Sequence, residues 1–456
     1  MFEAILQRFV EASGVTVIVR GLLERAFNAE QVDALFEEYS CLQYTRELLF
    51  SDVVMMMMLV ACGIRKSPSA AHKAMQEKLG VSRPAFYNKL QGIELPVIRA
   101  LLPFSSDQMA PVIRQLGGHV PPLLEGYRVK IIDGNVLGAS EHRLGCLQDD
   151  AAAPLPGKSM VVLDPQYRLA IDIIPCEDAY TQERALLSEI LPTVNPDDVW
   201  IADRNMCTRS FLMGIAQRQG FFVIREHENL PWQALGELEF VKQTPSGKVF
   251  EQPIEMDFEG KKLKLRRVVV QLDQPTRNGE DQVVVLSNLP ASVGAVKVAS
   301  LYLERWSIET LFQTVTEVFH CEIKTLGYPR AALFSFTIAL MSYNLFGVLA
   351  AALSSAHGSE TIKERFSYYY AAEEVQAAYH GMTIALPDEA WHPLAQLELA
   401  EFCETLTQWA SVVKLKFFTK AARKPKKQKQ KRKFDPKRPH VSTARLLNTD
   451  AKTTGD

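Results

Sequence analysis

The sequence predicts an α/β protein in which a mixed sheet carries helices on its faces, with a β-rich insertion and helical regions at both ends. Three observations lead to this fold class. Apolar strand-like segments alternate with helical segments between residues 121 and 224. Residues 225–295 contain further strands separated by turn signals. Residues 1–120 and 354–419 show the apolar period of helices.

The helical region 1–120 contains the outline of a helix-turn-helix, a common DNA-binding motif. One helix should end near Leu79, with Gly80 as its left-handed stop. Ser82 can cap a second helix that has Pro84 in its first turn. The second helix carries the polar residues Arg83, Tyr87, Asn88 and Lys89. Two short helices joined by a glycine turn are also common in proteins that bind no DNA, so both interpretations stay open at this point.

The region 121–224 is predicted to form the first part of the sheet. A strand over residues 128–133 should end at Asp133, and strands over 159–164 and 168–174 should form a hairpin. The short apolar run 198–203 has the composition of a buried strand and ends in Asp203. The remaining predicted elements are helices over 181–191 and 208–219 and a strand over 221–224.

A polar helix follows the insertion and begins the second part of the core, residues 296–353. Apolar residues recur at helical spacing across residues 301–319. Tyr302, Arg305 and Glu309 are three and four residues apart, which places them on one face of that helix. Arginine can clamp phosphate oxygens and glutamate can hold a hard divalent cation. For this helix alone, a surface ion pair explains the pattern at least as well.

Residues 331–353 contain no charged side chain and are long enough to span a membrane. We favour a helix buried in a large core and expect no membrane partner, because the segment follows closely on the polar helix. It also carries several polar residues, namely Ser335, Thr337, Ser342, Tyr343 and Asn344.

Charge is distributed unevenly along a chain whose net charge is only −2. Eleven basic residues against one aspartate give residues 420–438 a charge of +10, which leaves −12 on the remainder. Residues 420–456 are therefore predicted to be a disordered basic tail that binds DNA non-specifically through counterion release. Seven scattered cysteines without zinc spacing, and a start without a signal peptide, predict free thiols in the cytoplasm.

Three carboxylates are candidates for a shared metal site. Asp133 and Asp203 each follow an apolar strand, and Glu309 lies on the polar helix. Sites form at the carboxyl ends of such strands. Carboxylates brought together repel one another unless they share a cation, and three of them suit two divalent ions about 4 Å apart. Each acid alone is more often a turn or cap residue, and Asp133-Gly134 in particular has the composition of a turn.

Residues 126–346 resemble the DDE transposases of bacterial insertion sequences, specifically the insertion-sequence-four type. The resemblance rests on the order Asp133, Asp203, Glu309, with a β-rich insertion before the glutamate. The strings at residues 132–135 and 202–206 also resemble the sequences around the family's two aspartates. We take these motifs together as specific, although each alone is not.

The family's tyrosine–arginine–glutamate–lysine signature is matched in its first three positions. Tyr302, Arg305 and Glu309 have the signature spacing, and Trp306 fits as well. The signature lysine would fall at position 316, where this chain has Thr316. In the family that lysine is thought to contact DNA phosphate, so its replacement bears on DNA affinity more than on the metal site.

The resemblance implies an RNase H-like catalytic core that uses Mg²⁺, or Mn²⁺ as a substitute, to nick DNA and then transfer the 3′-hydroxyl strand. By resemblance, the metal ligands are Asp133, Asp203 and Glu309, and the DNA contacts are Tyr302, Arg305 and Trp306. Trp306 would pack against a displaced base or in the core, and core packing is slightly favoured. The implied partners are double-stranded DNA with terminal inverted repeats, target DNA, and a second copy in a homodimeric synaptic complex. The implied location is the bacterial cytoplasm, at the nucleoid.

Two other functions stay open beside the cut-and-paste transposase. One is a non-catalytic DNA-binding regulator or decayed copy, which Thr316 favours. The other is a hydrolase of small phosphoesters, which would leave the helix-turn-helix and the basic tail unexplained. Asp178 and the pair His142-Arg143 lie near the catalytic strands in sequence and are candidates for a supporting role, with capping or surface roles equally compatible.

Overall fold

The computed structural model describes residues 2–43, 47–141, 144–147, 153–276, 279–420 and 440–453. The turn predicted at Arg277-Asn278, the pair His142-Arg143 and residues 421–439 of the basic segment lie outside them. The first helices are α1 (Phe2–Ala26), α2 (Ala29–Tyr39), α3 (Phe50–Ala61), α4 (Pro68–Leu79), α5 (Arg83–Gly92) and α6 (Leu95–Gln115).

Ten of the described strands form one mixed sheet. The strands are β1 (Arg128–Val136), β2 (Ala153–Leu155), β3 (Lys158–Asp164), β4 (Leu169–Cys176), β5 (Asp198–Ala202), β6 (Phe221–Arg225), β7 (Gln233–Ala234), β8 (Glu239–Thr244), β9 (Gly247–Phe258), β10 (Lys261–Leu272), β11 (Gln282–Ser287) and β12 (His440–Ser442). Their order in the large sheet is β4-β3-β1-β5-β6-β11-β10-β9-β7, and β8 also pairs with β9. The predicted class, a mixed sheet with many helices, is confirmed.

The insertion continues the core sheet instead of forming a layer of its own. Strand β1 runs antiparallel to β3 and parallel to β5, and β5 runs parallel to β6. Strand β11 then pairs antiparallel with β6, so the long β9–β10 hairpin extends the same surface. The remaining helices are α7 (Glu183–Ile190), α8 (Arg209–Gln217), α9 (Ala295–Leu303), α10 (Trp306–Glu317), α11 (Pro329–His357), α12 (Ser359–Arg365), α13 (Tyr368–Ala385), α14 (His392–Gln396), α15 (Leu399–Ser411) and α16 (Thr443–Thr453).

Helix α11 lies in the centre of the main core, between α3, α6, α15 and strand β4. Among the described helices it alone is long and apolar enough to cross a membrane, but 94% of its most apolar window is buried inside the protein. Its buried Asn344 accepts a bond from the Ala170 N–H and donates one to the Ala170 carbonyl, both at 2.8 Å. Because β4 is an edge strand, this side chain satisfies backbone groups that no neighbouring strand pairs. The structure therefore places this helix as the core element that the sequence predicts.

The helix-turn-helix outline forms as predicted. Helix α4 ends at Leu79 and Gly80 has a left-handed φ of 66°, while the Ser82 side chain accepts the Ala85 N–H at 3.3 Å. One of the four polar residues on α5 faces inward: the Lys89 ammonium lies 3.9 Å from the centroid of the Phe36 ring. Burial there lowers the pKa of Lys89. Lys89 therefore packs half-buried against the helical core, whereas Arg83 and Asn88 of the same helix are exposed.

The described C-terminal residues 440–453, which the sequence assigns to a disordered tail, form a strand and a helix. Strand β12 pairs in parallel with β2, with His440 opposite Ala153. Asp178 holds this segment, since it accepts bonds from the Ser442 hydroxyl at 2.6 Å and the Arg445 guanidinium at 2.9 Å. The role of Asp178 in the described structure is thus to anchor the C-terminal segment to the edge of the core.

Candidate functional site

Asp133 and Asp203 lie side by side at one edge of the parallel part of the sheet. The last residues paired between β1 and β5 are Ile132 and Ala202, and each aspartate is the next residue along the chain. The prediction that the first strand ends at Asp133 is wrong, because β1 continues to Val136. Strand β3 supplies backbone partners for β1 beyond the point where β5 stops, so Asp133 stays extended. The two carboxylates therefore share the strand-end position where sites form.

The helix predicted over residues 301–319 is broken into α9 and α10. The Arg305 N–H bonds the Tyr302 carbonyl and the Ile308 N–H bonds the Arg305 carbonyl, which are the three-residue steps of a tightened turn. Tyr302 thus ends one helix, Arg305 occupies the junction, and Glu309 lies in the first turn of the next helix. The sequence spacing predicts that one helical face carries the three side chains, and this prediction is wrong. All three side chains still line one cleft.

Arg305 links two of the predicted carboxylates. Its Nη1 lies 3.2 Å from Asp133 Oδ2 and its Nη2 lies 2.7 Å from Glu309 Oε1. The Tyr302 hydroxyl donates to Asp203 Oδ1 at 3.4 Å. The structure therefore brings together all of the residues that the spacing and the resemblance single out, while their chemical roles stay predictions.

Trp306 is 59% exposed and lines the cleft, so the preference for core packing is wrong. The residue begins helix α10, where its side chain stands beside the Arg305 guanidinium, 5.1 Å from carbon Cζ to the ring centroid. An exposed aromatic ring next to a guanidinium is a surface on which a flat aromatic group can stack.

Burial dominates the electrostatics of the site. It raises the pKa of Asp133 to about 6, against the opposing effects of Arg305 and of the Gly134 N–H, which bonds the carboxylate at 2.9 Å. The negative charge of Asp203 raises that pKa further. Burial and Asp203 also raise the pKa of Tyr302 to about 12, so this phenol stays protonated and can donate. The site therefore carries more negative charge than its surroundings compensate.

The donors present suit a hard divalent cation, although their present arrangement does not form a complete site. Within the described ranges, no group of three acidic, histidine or cysteine side chains is close enough to hold a metal. The Arg305 guanidinium takes the place of a cation by pairing with Asp133 and Glu309. Carboxylate oxygens are the ligands that Mg²⁺ prefers, and the raised pKa of Asp133 shows that added positive charge would be stabilised. The residues therefore fit a metal in chemistry, provided that Glu309 exchanges its partner.

A further carboxylate, Glu183 of α7, was missed by the sequence analysis. A Cβ atom added to Gly134 would lie 2.2 Å from Glu183 Oε1, so the residue after Asp133 has to be glycine for this approach. The Asn205 amide donates to Glu183 at 3.3 Å, which ties α7 to the turn that follows Asp203. The only signal in the sequence was a glycine within a strand pattern, which marks close approach to a neighbour.

The cleft has a volume of about 1600 Å³ and is lined by both charged and apolar residues. The charged residues already described are joined there by Arg204 and Arg225. Most of the apolar lining residues come from strands β9, β10 and β11 and from helix α9. Glu280, in the loop before β11, also lines the cleft and lies 2.7 Å from an Arg225 nitrogen. The sequence analysis did not find this ion cluster, because its members come from three separate segments.

The position of the missing signature lysine is an exposed site near the end of α10. The Thr316 hydroxyl accepts a weak bond from the Cys321 thiol at 3.7 Å. Lys324, the nearest downstream lysine, is exposed in the segment between α10 and α11. Since α10 ends at Glu317, Lys324 does not lie on the helix that carries Glu309.

Residues 126–345 match the family model described as "Transposase DDE domain". No curated protein matches the sequence. Among solved structures, the chain is matched with the cryo-EM structure of the piggyBac transposase synaptic complex with hairpin DNA. It has 15% identity and a TM-score of 0.39, over 85% of this chain and 82% of that chain. The family match spans just under half of the chain, contains Asp133, Asp203 and Glu309, and supports a DDE transposase.

Proposed function

We propose that this protein is a metal-dependent DDE transposase of the insertion-sequence-four type. It binds terminal inverted repeats, cuts the DNA strand there and transfers the 3′-hydroxyl end to target DNA. The observation that carries the proposal is the placement of Asp133 and Asp203 at one sheet edge, in a cleft that also receives Glu309. The match of residues 126–345 with the transposase DDE domain supports it. The order β4-β3-β1-β5-β6, with two antiparallel pairings followed by two parallel ones, supports an RNase H-like core.

Asp133, Asp203 and Glu309 would hold the divalent ions, Mg²⁺ or Mn²⁺. When bound, these ions activate the attacking oxygen and stabilise the leaving oxygen of a phosphoryl displacement. Tyr302 keeps Asp203 oriented through its hydroxyl, which burial holds in the protonated form. Arg305 pairs with Asp133 and Glu309 in the free protein, and its guanidinium is positioned to take a backbone phosphate instead.

The apolar lining residues of the cleft and the exposed Trp306 ring suit the base next to the cut phosphate. An unstacked base gains contact with an aromatic ring irrespective of its identity, so this contact positions the strand without reading its sequence. Arg83 and Asn88 are exposed on α5, which makes this helix the candidate reader of the terminal repeat. The basic segment 420–438 would add affinity for any DNA. A homodimer that joins two DNA ends, at the nucleoid of a bacterial cell, completes the proposal.

The decisive experiment is a nicking assay on DNA that carries the inverted repeats flanking the gene, with Mg²⁺ or Mn²⁺. Asp133→Asn and Glu309→Gln should abolish nicking and leave DNA binding intact. Glu317→Gln is a matched control, since Glu317 lies on the same helix and bonds only the surface residue Gln313 in the described structure. Nicking that survives in Asp133→Asn would refute the assignment of this residue.

A non-catalytic DNA-binding regulator is the second candidate function. Thr316 in place of the signature lysine favours it, and so does the pairing of Glu309 with Arg305 in the free protein. A protein of this kind would shift terminal-repeat DNA in a gel but would cut it with neither Mg²⁺ nor Mn²⁺.

A further inference from the structure

An ion cluster lies beside the three carboxylates, in the same cleft. Arg204 and Arg225 both direct an Nη2 nitrogen at the same oxygen, Oε1 of Glu280. Arg225 is largely buried, whereas Glu280 keeps 28% of its side chain exposed to the cleft. The hydrogen bonds from Arg225 and Arg204 lower the pKa of Glu280 to about 2, so its carboxylate stays ionised between the two guanidinium groups.

The two arginines lie next to the proposed reaction site, on two elements that adjoin it. Arg204 directly follows Asp203, and Arg225 ends strand β6, the parallel neighbour of β5. The charge of Arg225 acts on the Tyr302 phenol, which itself bonds Asp203. Arg225 is therefore held by the sheet and Arg204 by the turn directly after β5, both within electrostatic reach of the residues around the proposed reaction site.

Glu280 is held by a different element. It lies in the loop between β10 and β11, where its N–H bonds the Thr276 hydroxyl at 3.1 Å and its carbonyl accepts the Thr276 N–H at 2.7 Å. The acid and its two partners thus come from three separate segments of the chain. One oxygen between two guanidinium groups is also the arrangement in which arginine pairs bind a phosphate oxygen.

We propose that Arg204 and Arg225 form a phosphate-binding subsite for the DNA backbone, and that Glu280 occupies this subsite in the free protein as an internal competitor. The inference rests on the proposed function and goes beyond it by assigning the subsite and its competitor. A backbone phosphate displaces the carboxylate, since it brings the same charge with more acceptor oxygens.

The test is DNA binding by the full-length protein without metal, measured by fluorescence anisotropy with a short labelled duplex. Glu280→Gln removes the competing charge while keeping the size of the side chain, so its affinity for DNA should rise. Releasing a partly exposed ion pair corresponds to a rise of about fivefold. The gain should disappear when Arg225→Gln is combined with it, and Arg225→Gln alone should bind DNA more weakly than the wild type.

Loss of any acidic residue attracts DNA to some extent, so a matched control is needed. Glu255→Gln removes the same charge from the same insertion, where Glu255 pairs with exposed Lys262 at 2.6 Å. The gain of Glu280→Gln has to exceed the gain of this control. If Glu280 only ties the loop to the sheet, its substitution lowers the thermal midpoint and leaves DNA affinity equal to the control, which overturns the proposal.

Failure of this inference is distinguishable from failure of the proposed function. Suppose that the wild type nicks terminal-repeat DNA but the DNA affinity of Glu280→Gln equals that of the control. This outcome overturns only the proposed role of Glu280 as a competitor. A protein that binds no DNA in any of these variants overturns both.

Discussion

Replacing Asp133 by asparagine should stabilise the metal-free protein while abolishing its proposed activity. Burial raises the pKa of Asp133 from 3.8 to about 6, so the ionised carboxylate is less favourable in the folded protein than in the unfolded chain. A shift of about 2 units corresponds to roughly 3 kcal/mol at a pH well above 6. Asparagine is neutral and keeps an oxygen that can accept from Arg305.

The free-energy difference between Asp133→Asn and the wild type should depend on pH, and the raised pKa of Asp133 gives the direction. Because the pKa of Asp133 is raised in the folded state, its ionisation destabilises the protein fully above pH 6. That penalty is lost progressively as the pH falls from 6 towards 3.8. The free-energy advantage of Asp133→Asn over the wild type should therefore be about 1.4 kcal/mol larger at pH 7.5 than at pH 5.

Denaturant unfolding of both proteins at these two pH values, in the presence of a chelator, measures this difference. Asp107→Asn, on the exposed part of α6, controls for the loss of a surface charge. Added Mg²⁺ should raise the midpoint of the wild type and leave that of Asp133→Asn nearly unchanged, since a ligand stabilises only the state that binds it. An Asp133→Asn protein less stable than the wild type at pH 7.5, or a difference independent of pH, would refute the reasoning.

Three further predictions concern single contacts. Gly134→Ala should lower nicking, because its Cβ would force the Glu183 carboxylate away from its place beside Asp133, whereas Gly145→Ala, with open space around it, should leave nicking unchanged. Asn344→Leu should lower the free energy of unfolding by about 2 kcal/mol or more in denaturant titrations, since it leaves a buried N–H and carbonyl of β4 unpaired. Trp306→Ala should leave the thermal midpoint nearly unchanged, as the ring is exposed, and should slow strand cleavage in the nicking assay; equal cleavage rates would exclude its proposed contact with a base.

The parts of the fold that the sequence predicts correctly are those set by neighbouring residues. Gly80 and Ser82 mark the turn between α4 and α5 because a left-handed stop and a side-chain cap act within one helical turn. The β3–β4 hairpin is likewise local, with Asp164 accepting the Gln166 N–H in its turn. The order of the two aspartates and the glutamate could be read without any knowledge of their contacts.

The errors arise where distant segments decide the outcome. Strand β1 continues past Asp133 because β3, more than 20 residues later, pairs with it. The break between α9 and α10 carries no glycine or proline, so no local rule marks it, and Arg305 at the break contacts Asp133, which is distant in sequence. Strand β12 is ordered through its pairing with β2, which lies almost 300 residues earlier in the chain. None of these pairings leaves a signature in a short window of sequence.

In the free protein, charged groups of the cleft pair with one another in two sets. Arg305 forms ion pairs with two of the acids that would hold metal. Glu280 forms ion pairs with the two arginines that we assign to phosphate binding. Each pair satisfies partly buried groups that would otherwise destabilise the fold. A substrate that brings phosphates together with divalent cations supplies the opposite charge to the three arginines and to Asp133 and Glu309 at once, while the displaced Glu280, which is already partly exposed, turns to solvent. Phosphate without the cation would leave Asp133 and Glu309 unpaired, and the cation without phosphate would leave Arg305 unpaired. The geometry therefore favours joint binding of DNA and metal, which would confine cleavage to the complex that contains both.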